Sequence, residues 1–223
     1  MIAASIIGIS SERRSGSTLA ILKRIALSEK NSGSTISLVD TVNTRFARMN
    51  PVNLLDASIP TRIAQYAESI TEEIKPLIDY TFRTLTGRDS TAVCGFSAGA
   101  AAYVYLVLRK NSVFSGAGAF SFTMSKTMES YLAQETDLLS KIGKTRIYMD
   151  VGDCERDDLP QDVSAFFVDD PVKALTDWQK YLHEREEGSA DTRLRIIHGG
   201  YHRISAAAQR VGGALLWLFN DGD

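Results

Sequence analysis

Apolar residues fall into two kinds of pattern along the chain, which predict strands separated by helices. Short apolar runs rich in β-branched or small residues predict six strands. Longer segments between them place apolar residues at helical spacing. Such alternation is typical of an α/β fold, here a doubly wound, mainly parallel sheet. The predicted strands span residues 2–9, 35–39, 91–95, 113–120, 146–151 and 193–197, and the helices 18–30, 61–82, 98–108, 123–143, 172–187 and 204–219.

Composition narrows the class of protein. The 223 residues, 44% of them hydrophobic, predict one domain over residues 1–223. A net charge of −2 provides no broad cationic surface, so we expect neither a nucleic acid nor a membrane as partner. The first apolar run leads straight from Met1 and indicates a strand rather than a signal peptide. Cys94 and Cys154 form neither a disulfide framework nor a zinc pattern, so a cytoplasmic location without a metal is expected.

The third predicted strand leads into Gly-x-Ser-x-Gly, from Gly95 to Gly99, and an Ala-rich helical segment follows. This is the sequence form of a nucleophile elbow, a sharp strand-to-helix turn that exposes a strained serine, here Ser97. A side chain at either glycine would collide with the neighbouring strand or helix. The following helix would aim its free N–H groups at the same point.

Two further loops at predicted strand ends carry the partners that a nucleophilic serine requires. The fifth strand is followed by an acidic loop and the sixth by a loop that contains His202. Serine, acid and then histidine is the chain order of α/β-hydrolases. His198 is the rival base, but it directly follows a buried strand, and His183 lies in a charged helix. The acid is open at this stage among Asp153, Glu155 and Asp157.

Four segments of the chain resemble the esterase family that includes enterochelin and other siderophore esterases, feruloyl and acetyl-xylan esterases, S-formylglutathione hydrolase and mycolyltransferases. They are a helix with Pro, Ile-Asp and Arg-Thr before the elbow, the elbow itself, a strand ending in serine, and a Gly-Gly-Tyr-His loop before an apolar-aromatic helix. Residues 73–84, 95–99, 113–121 and 199–219 carry these features, and the resemblance covers roughly residues 70–220. It implies the α/β-hydrolase fold.

The resemblance also implies roles. Ser97 would be the nucleophile, His202 the general base and Glu155 the orienting acid, since Glu155 fits the family's spacing after the strand-end glycine. The oxyanion hole would use the N–H of Ala98 and one from the loop after the first strand, near Ser11. Relatives carry Asp-Gly in that loop, where this chain has Ser-Ser-Glu.

Substrate contacts are expected from Arg13 and Arg14, which could hold an acidic group, and from Phe96 beside the nucleophile. The implied substrate is a small-molecule or glycan ester, or a thioester, and no metal or organic cofactor is needed. Nothing in the sequence selects among the esters that the family cleaves.

Two other functions compete with this prediction. Residues 8–18 also resemble the phosphate loop of flavodoxin-like, NADPH-dependent FMN reductases, in which backbone amides hold the flavin phosphate. That interpretation leaves the order of Ser97, Glu155 and His202 unexplained, and residues 40–74 contain no apolar strand ending in a Pro-x-Tyr loop. The second alternative is a hydrolase-fold binding module that has lost catalysis.

Overall fold

Six parallel strands form one sheet in the computed structural model, which describes residues 5–9, 35–38, 62–135, 142–157, 159, 161–184 and 190–219. In order across the sheet the strands are β2-β1-β3-β4-β5-β6. All neighbouring pairs are parallel. The strands are β1 (Ser5–Ile9), β2 (Thr35–Leu38), β3 (Thr91–Phe96), β4 (Gly116–Phe120), β5 (Arg146–Gly152) and β6 (Asp191–Ile197). The predicted α/β fold with a parallel sheet is therefore confirmed.

Among the described residues, helices lie between consecutive strands from β2 to β6, as parallel pairing requires, and follow β6. They are α1 (Ile63–Glu68), a π-helical turn (Ser69–Ile74), α2 (Lys75–Thr81), a 3₁₀ turn (Arg88–Ser90), α3 (Ala98–Arg109), α4 (Lys126–Gln134), α5 (Gln161–Ser164), α6 (Pro171–His183), α7 (Ile204–Ala208) and α8 (Val211–Phe219). In the part of the chain that the structure describes, no helix has the length and hydropathy to span a membrane.

The centre of the sheet is tightly packed, because small residues let its strands and helices approach closely. Every residue of β3 and β4 is buried, and so is every residue of α3 except the last. A Cβ on Gly118 would lie 2.6 Å from Sγ of Cys94 on the neighbouring strand. Helices α3, α4 and α6 contribute to one apolar cluster, and α8 packs against the other face of β3, β4 and β5. This rigid centre holds the carboxyl ends of β3, β5 and β6 at one edge.

Several predicted boundaries were wrong. The segment predicted as a helix over 61–82 is helical over residues 63–81, with a π-helical turn between α1 and α2 and Pro76 as the second residue of α2. The closing helix 204–219 breaks between α7 and α8. The fourth strand begins at Gly116 instead of 113, after a turn. Of the helix predicted for 123–143, residues 126–134 are helical and residues 123–125, 135 and 142–143 are not, while residues 136–141 lie outside the described ranges. Residues 18–30 lie outside the described ranges.

Candidate active site

Ser97 occupies the sharp turn between β3 and α3. Its backbone angles are φ 59° and ψ −120°, a conformation that L-residues rarely adopt and that costs about 1–3 kcal/mol. The N–H of Ser97 donates to the carbonyl of Phe120, at 3.0 Å, and its own carbonyl accepts the N–H of Ala100, at 2.9 Å. These contacts from β4 and from α3 hold the turn in its strained form and fix the position of the hydroxyl.

Gly95 is required by the close approach of α3 to β3. A Cβ at this position would lie 2.5 Å from both the carbonyl carbon and the oxygen of Gly99, and 2.8 Å from the ring of Tyr103. Backbone atoms cannot yield to such an overlap as a flexible side chain can. The collision predicted from the sequence is therefore present in the fold at Gly95.

Three side chains from distant parts of the chain meet at this edge of the sheet. Oγ of Ser97 lies 2.7 Å from Nε2 of His202. Nδ1 of the same ring lies 2.5 Å from Oε2 of Glu155. The side chain of His202 is 10% exposed and that of Glu155 only 1%. The arrangement is a chain of hydrogen bonds from hydroxyl through imidazole to a buried carboxylate, and it can move a proton away from the hydroxyl.

Glu155 is held as an anion by several donors. Oε1 accepts the N–H of Gly152, the last residue of β5, at 2.9 Å. Burial by itself would raise the pKa of Glu155, but the hydrogen bond and charge of His202 and hydrogen bonds from Gly152 and Ser121 outweigh it, so the pKa is lowered. The carboxylate therefore stays ionised and can stabilise a positively charged imidazole.

The other acids and histidines considered from the sequence lie elsewhere. Asp153 pairs with His198 through Oδ2 and Nδ1, at 3.1 Å, and accepts the N–H of Gly199 at 2.7 Å, in an exposed position. Asp157 is exposed. Nε2 of His183 lies 2.6 Å from the hydroxyl of Thr192. Of the three acids, the structure brings Glu155 to the imidazole beside Ser97.

Two of the remaining predicted site residues, Ala98 and Phe96, lie beside the serine and the imidazole. Ala98 is the first residue of α3, and the first N–H groups of a helix lack partners within it, so its amide lies beside the serine without an intrahelical acceptor. Phe96 is 4% exposed and its ring centroid lies 4.8 Å from that of His202, so it packs against the imidazole. Its substrate role stays a prediction. Ser11, Arg13 and Arg14 lie outside the described residues.

Sequence reasoning missed a second polar layer beneath these groups. The hydroxyl of Thr123 lies 3.3 Å from Nδ1 of His202 and 3.5 Å from Oε2 of Glu155. Asp150, on β5, is completely buried and paired with Arg210. The one available signal was a charged residue within each of two apolar segments, but spacing along the chain does not reveal that the two charges meet.

No group of three or more metal-ligating side chains comes together among the described residues.

The parallel sheet and the serine elbow define an α/β-hydrolase fold of the serine hydrolase class. The family model described as "Putative esterase" matches residues 33–206, well over half of the chain. The chain therefore belongs to this esterase family and is an esterase-type, ester-cleaving serine hydrolase. No curated protein sequence matches it significantly.

Solved structures share the fold at low identity. A siderophore hydrolase from Aspergillus nidulans is 14% identical with a TM-score of 0.70, over 99% of this chain and 84% of that one. An S-formylglutathione hydrolase from Agrobacterium tumefaciens is 14% identical with a TM-score of 0.63, over 97% and 83%. The enterobactin esterase of Shigella flexneri is 18% identical with a TM-score of 0.61, over 97% and 52%.

Proposed function

We propose that this protein hydrolyses a carboxylic ester or thioester through an acyl-enzyme formed on Ser97. The observation that carries the proposal is the pair of contacts on one imidazole, 2.7 Å to the hydroxyl of Ser97 and 2.5 Å to the carboxylate of Glu155. A base within reach of a strained serine, and an acid that orients the base, are what nucleophilic catalysis by a hydroxyl requires.

In the first half of the reaction, Oγ of Ser97 attacks the ester carbonyl carbon and Nε2 of His202 takes the hydroxyl proton. The tetrahedral intermediate then collapses, the bond to the leaving oxygen or sulfur breaks, and His202 returns the proton to the leaving group. Glu155 keeps Nδ1 protonated and stabilises the imidazolium without accepting its proton.

In the second half, water replaces the leaving group. His202 takes a proton from the water as its oxygen attacks the acyl carbon, and then donates it to Ser97 as the acid product leaves. The N–H of Ala98 would stabilise the oxyanion in both halves, and each such donor contributes about 3 kcal/mol in the transition state. A second donor near Ser11 remains part of the proposal.

The observations favour this function over the flavin alternative. The first five strands of the sheet follow the order 2-1-3-4-5, which is also that of flavodoxin-like proteins, so this strand order alone does not separate the two functions. The strained serine at the end of β3 and the imidazole beside it have no use in flavin binding, and the esterase family match supports the hydrolase.

The substrate class rests on the family and on the names of the structural neighbours. These are a siderophore hydrolase, a ferulic acid esterase and an S-formylglutathione hydrolase. We propose a small-molecule or glycan ester, and a cytoplasmic location, for this chain.

Replacement of the proposed nucleophile tests the function. Ser97→Ala should abolish hydrolysis of p-nitrophenyl acetate and labelling by a fluorophosphonate, because no other group would attack the carbonyl or the phosphorus. Ser130→Ala, which alters an exposed serine on α4, is the matched control and should keep both. Undiminished turnover by folded Ser97→Ala would contradict the proposal. A wild-type protein that neither hydrolyses esters nor reacts with the fluorophosphonate would support the inactive binding module. A protein that purifies with a yellow colour would support the flavin alternative.

A further inference from the structure

A buried ion pair lies directly behind the proposed catalytic groups. Asp150, which is 0% exposed, receives a two-pronged contact from Arg210, with Nε to Oδ2 at 2.7 Å and Nη2 to Oδ1 at 2.8 Å. The hydroxyl of Tyr148 donates to Oδ2 at 3.3 Å. The carboxylate thus has partners on both oxygens, which is how a fully buried charge is tolerated.

The same carboxylate reaches the peptide that anchors the serine. Oδ1 of Asp150 accepts the N–H of Ser121 at 2.7 Å. That N–H belongs to the same planar peptide unit as the carbonyl of Phe120, which accepts the N–H of Ser97. One rigid plane therefore joins Asp150 on one side to the backbone of Ser97 on the other.

Ser121 would not adopt its conformation unaided. Its φ is 46°, a region that costs a non-glycine residue free energy, so the surroundings must impose it. Asp150 supplies two of the constraints, since its side chain accepts the N–H of Ser121 and its backbone carbonyl accepts that of Phe122, at 2.9 Å. The carbonyl of Ser121 in turn accepts the hydroxyl of Thr123, at 3.2 Å, which lies beside His202.

Arg210 connects this turn to the histidine-bearing segment. It lies at the break between α7 and α8, eight positions after His202, and its N–H donates to the carbonyl of Ala207. Asp150 lies five positions before Glu155 on the strand that leads to the acid. The ion pair therefore joins the chain segments that carry all three proposed catalytic groups.

We propose that Asp150 and Arg210 are positioning residues for the esterase reaction: their ion pair fixes the Phe120–Ser121 peptide and so sets the distance between the hydroxyl of Ser97 and the imidazole of His202. The inference rests on the proposed function. Neither residue touches the reacting atoms, so their loss should lower the rate of acylation without weakening substrate binding.

The test replaces the pair by apolar residues, which avoids leaving an unpaired buried charge. In Asp150→Leu/Arg210→Met we expect kcat for p-nitrophenyl acetate and the rate of fluorophosphonate labelling to fall about 10–100-fold, because a small misplacement of reacting groups lowers the rate by such factors. KM should stay within about twofold of the wild-type value. Arg210→Lys, which keeps the positive charge but not the two-pronged contact with Asp150, should fold and show a smaller loss of kcat than the double variant.

The matched control is Lys75→Met/Asp79→Leu, which removes another pair of low exposure, on α2. It should lower the melting temperature and leave kcat unchanged. A kcat equal to that of the wild type in the folded Asp150→Leu/Arg210→Met variant would overturn the inference. If the double variant does not fold, a wild-type kcat in Arg210→Lys would overturn it. So would an equal loss of kcat in the control.

A readout independent of turnover separates this inference from the proposed function. The proton between Nδ1 of His202 and Glu155 should give a low-field ¹H NMR signal in the wild type and in the control, and it should shift or vanish in the Asp150→Leu/Arg210→Met variant. An unchanged signal overturns the positioning role even if the wild-type protein cleaves no ester. Loss of turnover in Ser97→Ala alone bears only on the proposed function.

Discussion

At the scale of single residues, the site depends on a carboxylate that is buried and yet ionised. Glu155 is 2% exposed, and isolated carboxyl groups in such places normally become neutral. Its hydrogen bonds with the imidazole of His202 and the amide of Gly152 stabilise the anion. The same contacts orient the ring, so that the other nitrogen faces the hydroxyl of Ser97.

Glu155→Gln tests this role in catalysis. An amide at this position would favour the wrong imidazole tautomer and would not stabilise the imidazolium, so we expect kcat to fall about 10³–10⁴-fold. Asp157→Asn, in the same loop but exposed, should change kcat by less than about twofold and serves as the control. Hydrolysis of p-nitrophenyl acetate measures both. A larger loss in Asp157→Asn would assign the acid differently.

The pH dependence of stability gives a second prediction for Glu155. Because folding lowers its pKa, the carboxylate contributes stability that is fully present above its ordinary pKa of 4.5 and is lost as pH falls through the lower folded value. The difference in melting temperature between wild type and Glu155→Gln should thus be largest near neutral pH and should shrink below pH 4.5. A difference in melting temperature that stays constant down to roughly pH 3 would contradict this prediction.

The residues differ in how far the sequence revealed them. Ser97 stands in a motif with a defined local geometry, and the family resemblance singled out His202 and Glu155. The structure brings these three together, although their catalytic roles stay a proposal. Arg210 and Asp150 each stand out locally only as a charged residue in an apolar segment, and the sequence does not show that they pair, because an ion pair between residues sixty positions apart exists only after the sheet and α8 have packed.

At the scale of elements, the junction between β3 and α3 shows why the elbow needs its glycine. The strand must turn into the helix within one residue, which brings the first turn of α3 onto Gly95. The local sequence predicts this junction well, because both partners in the contact lie within five residues of each other.

Gly95→Ala should destabilise the protein by about 1–3 kcal/mol and strongly reduce esterase activity, because its Cβ would overlap the backbone of Gly99 and displace the turn. Gly87→Ala is the matched control, since a Cβ there would meet nothing within 4 Å. It should alter the free energy of unfolding by less than about 0.5 kcal/mol. Denaturant titration measures both, and equal stability of the two variants would contradict the steric argument.

Helix interruptions were less predictable than the elbow. The apolar spacing over 61–82 fits one continuous helix, but the structure inserts a π-helical turn over Ser69–Ile74. The break between α7 and α8 likewise places Arg210 where its side chain reaches Asp150. In both cases hydrophobic periodicity marks which residues face the core, and it is insensitive to a local change in winding.

At the scale of the whole molecule, the sheet encloses a thiol that can report on global unfolding. Cys94 lies in the central strand β3 with 6% exposure, and burial raises the pKa of its thiol to about 12 despite a backbone hydrogen bond from Gly118 that lowers it. Cys154 lies in the partly exposed turn after β5. The two free cysteines therefore differ in access to solvent.

We expect a thiol reagent to modify Cys154 in the native protein and Cys94 only after unfolding, because thiolate formation and access are both required for reaction. Peptide mass spectrometry of protein labelled with and without denaturant would assign the sites. The rate at Cys94 should follow the free energy of global unfolding, since β3 lies at the centre of the sheet. Modification of both cysteines at similar rates in the native protein would contradict this packing.

The sequence by itself determined the α/β class, the serine elbow and the chain order of hydroxyl, acid and histidine. These depend on periodicity and on short motifs, which act over a few residues. Only the tertiary structure decided which acid reaches the imidazole and placed the Asp150–Arg210 pair behind the serine. Such contacts join residues far apart in the chain, and their geometry is set by how strands and helices pack, which local patterns do not encode.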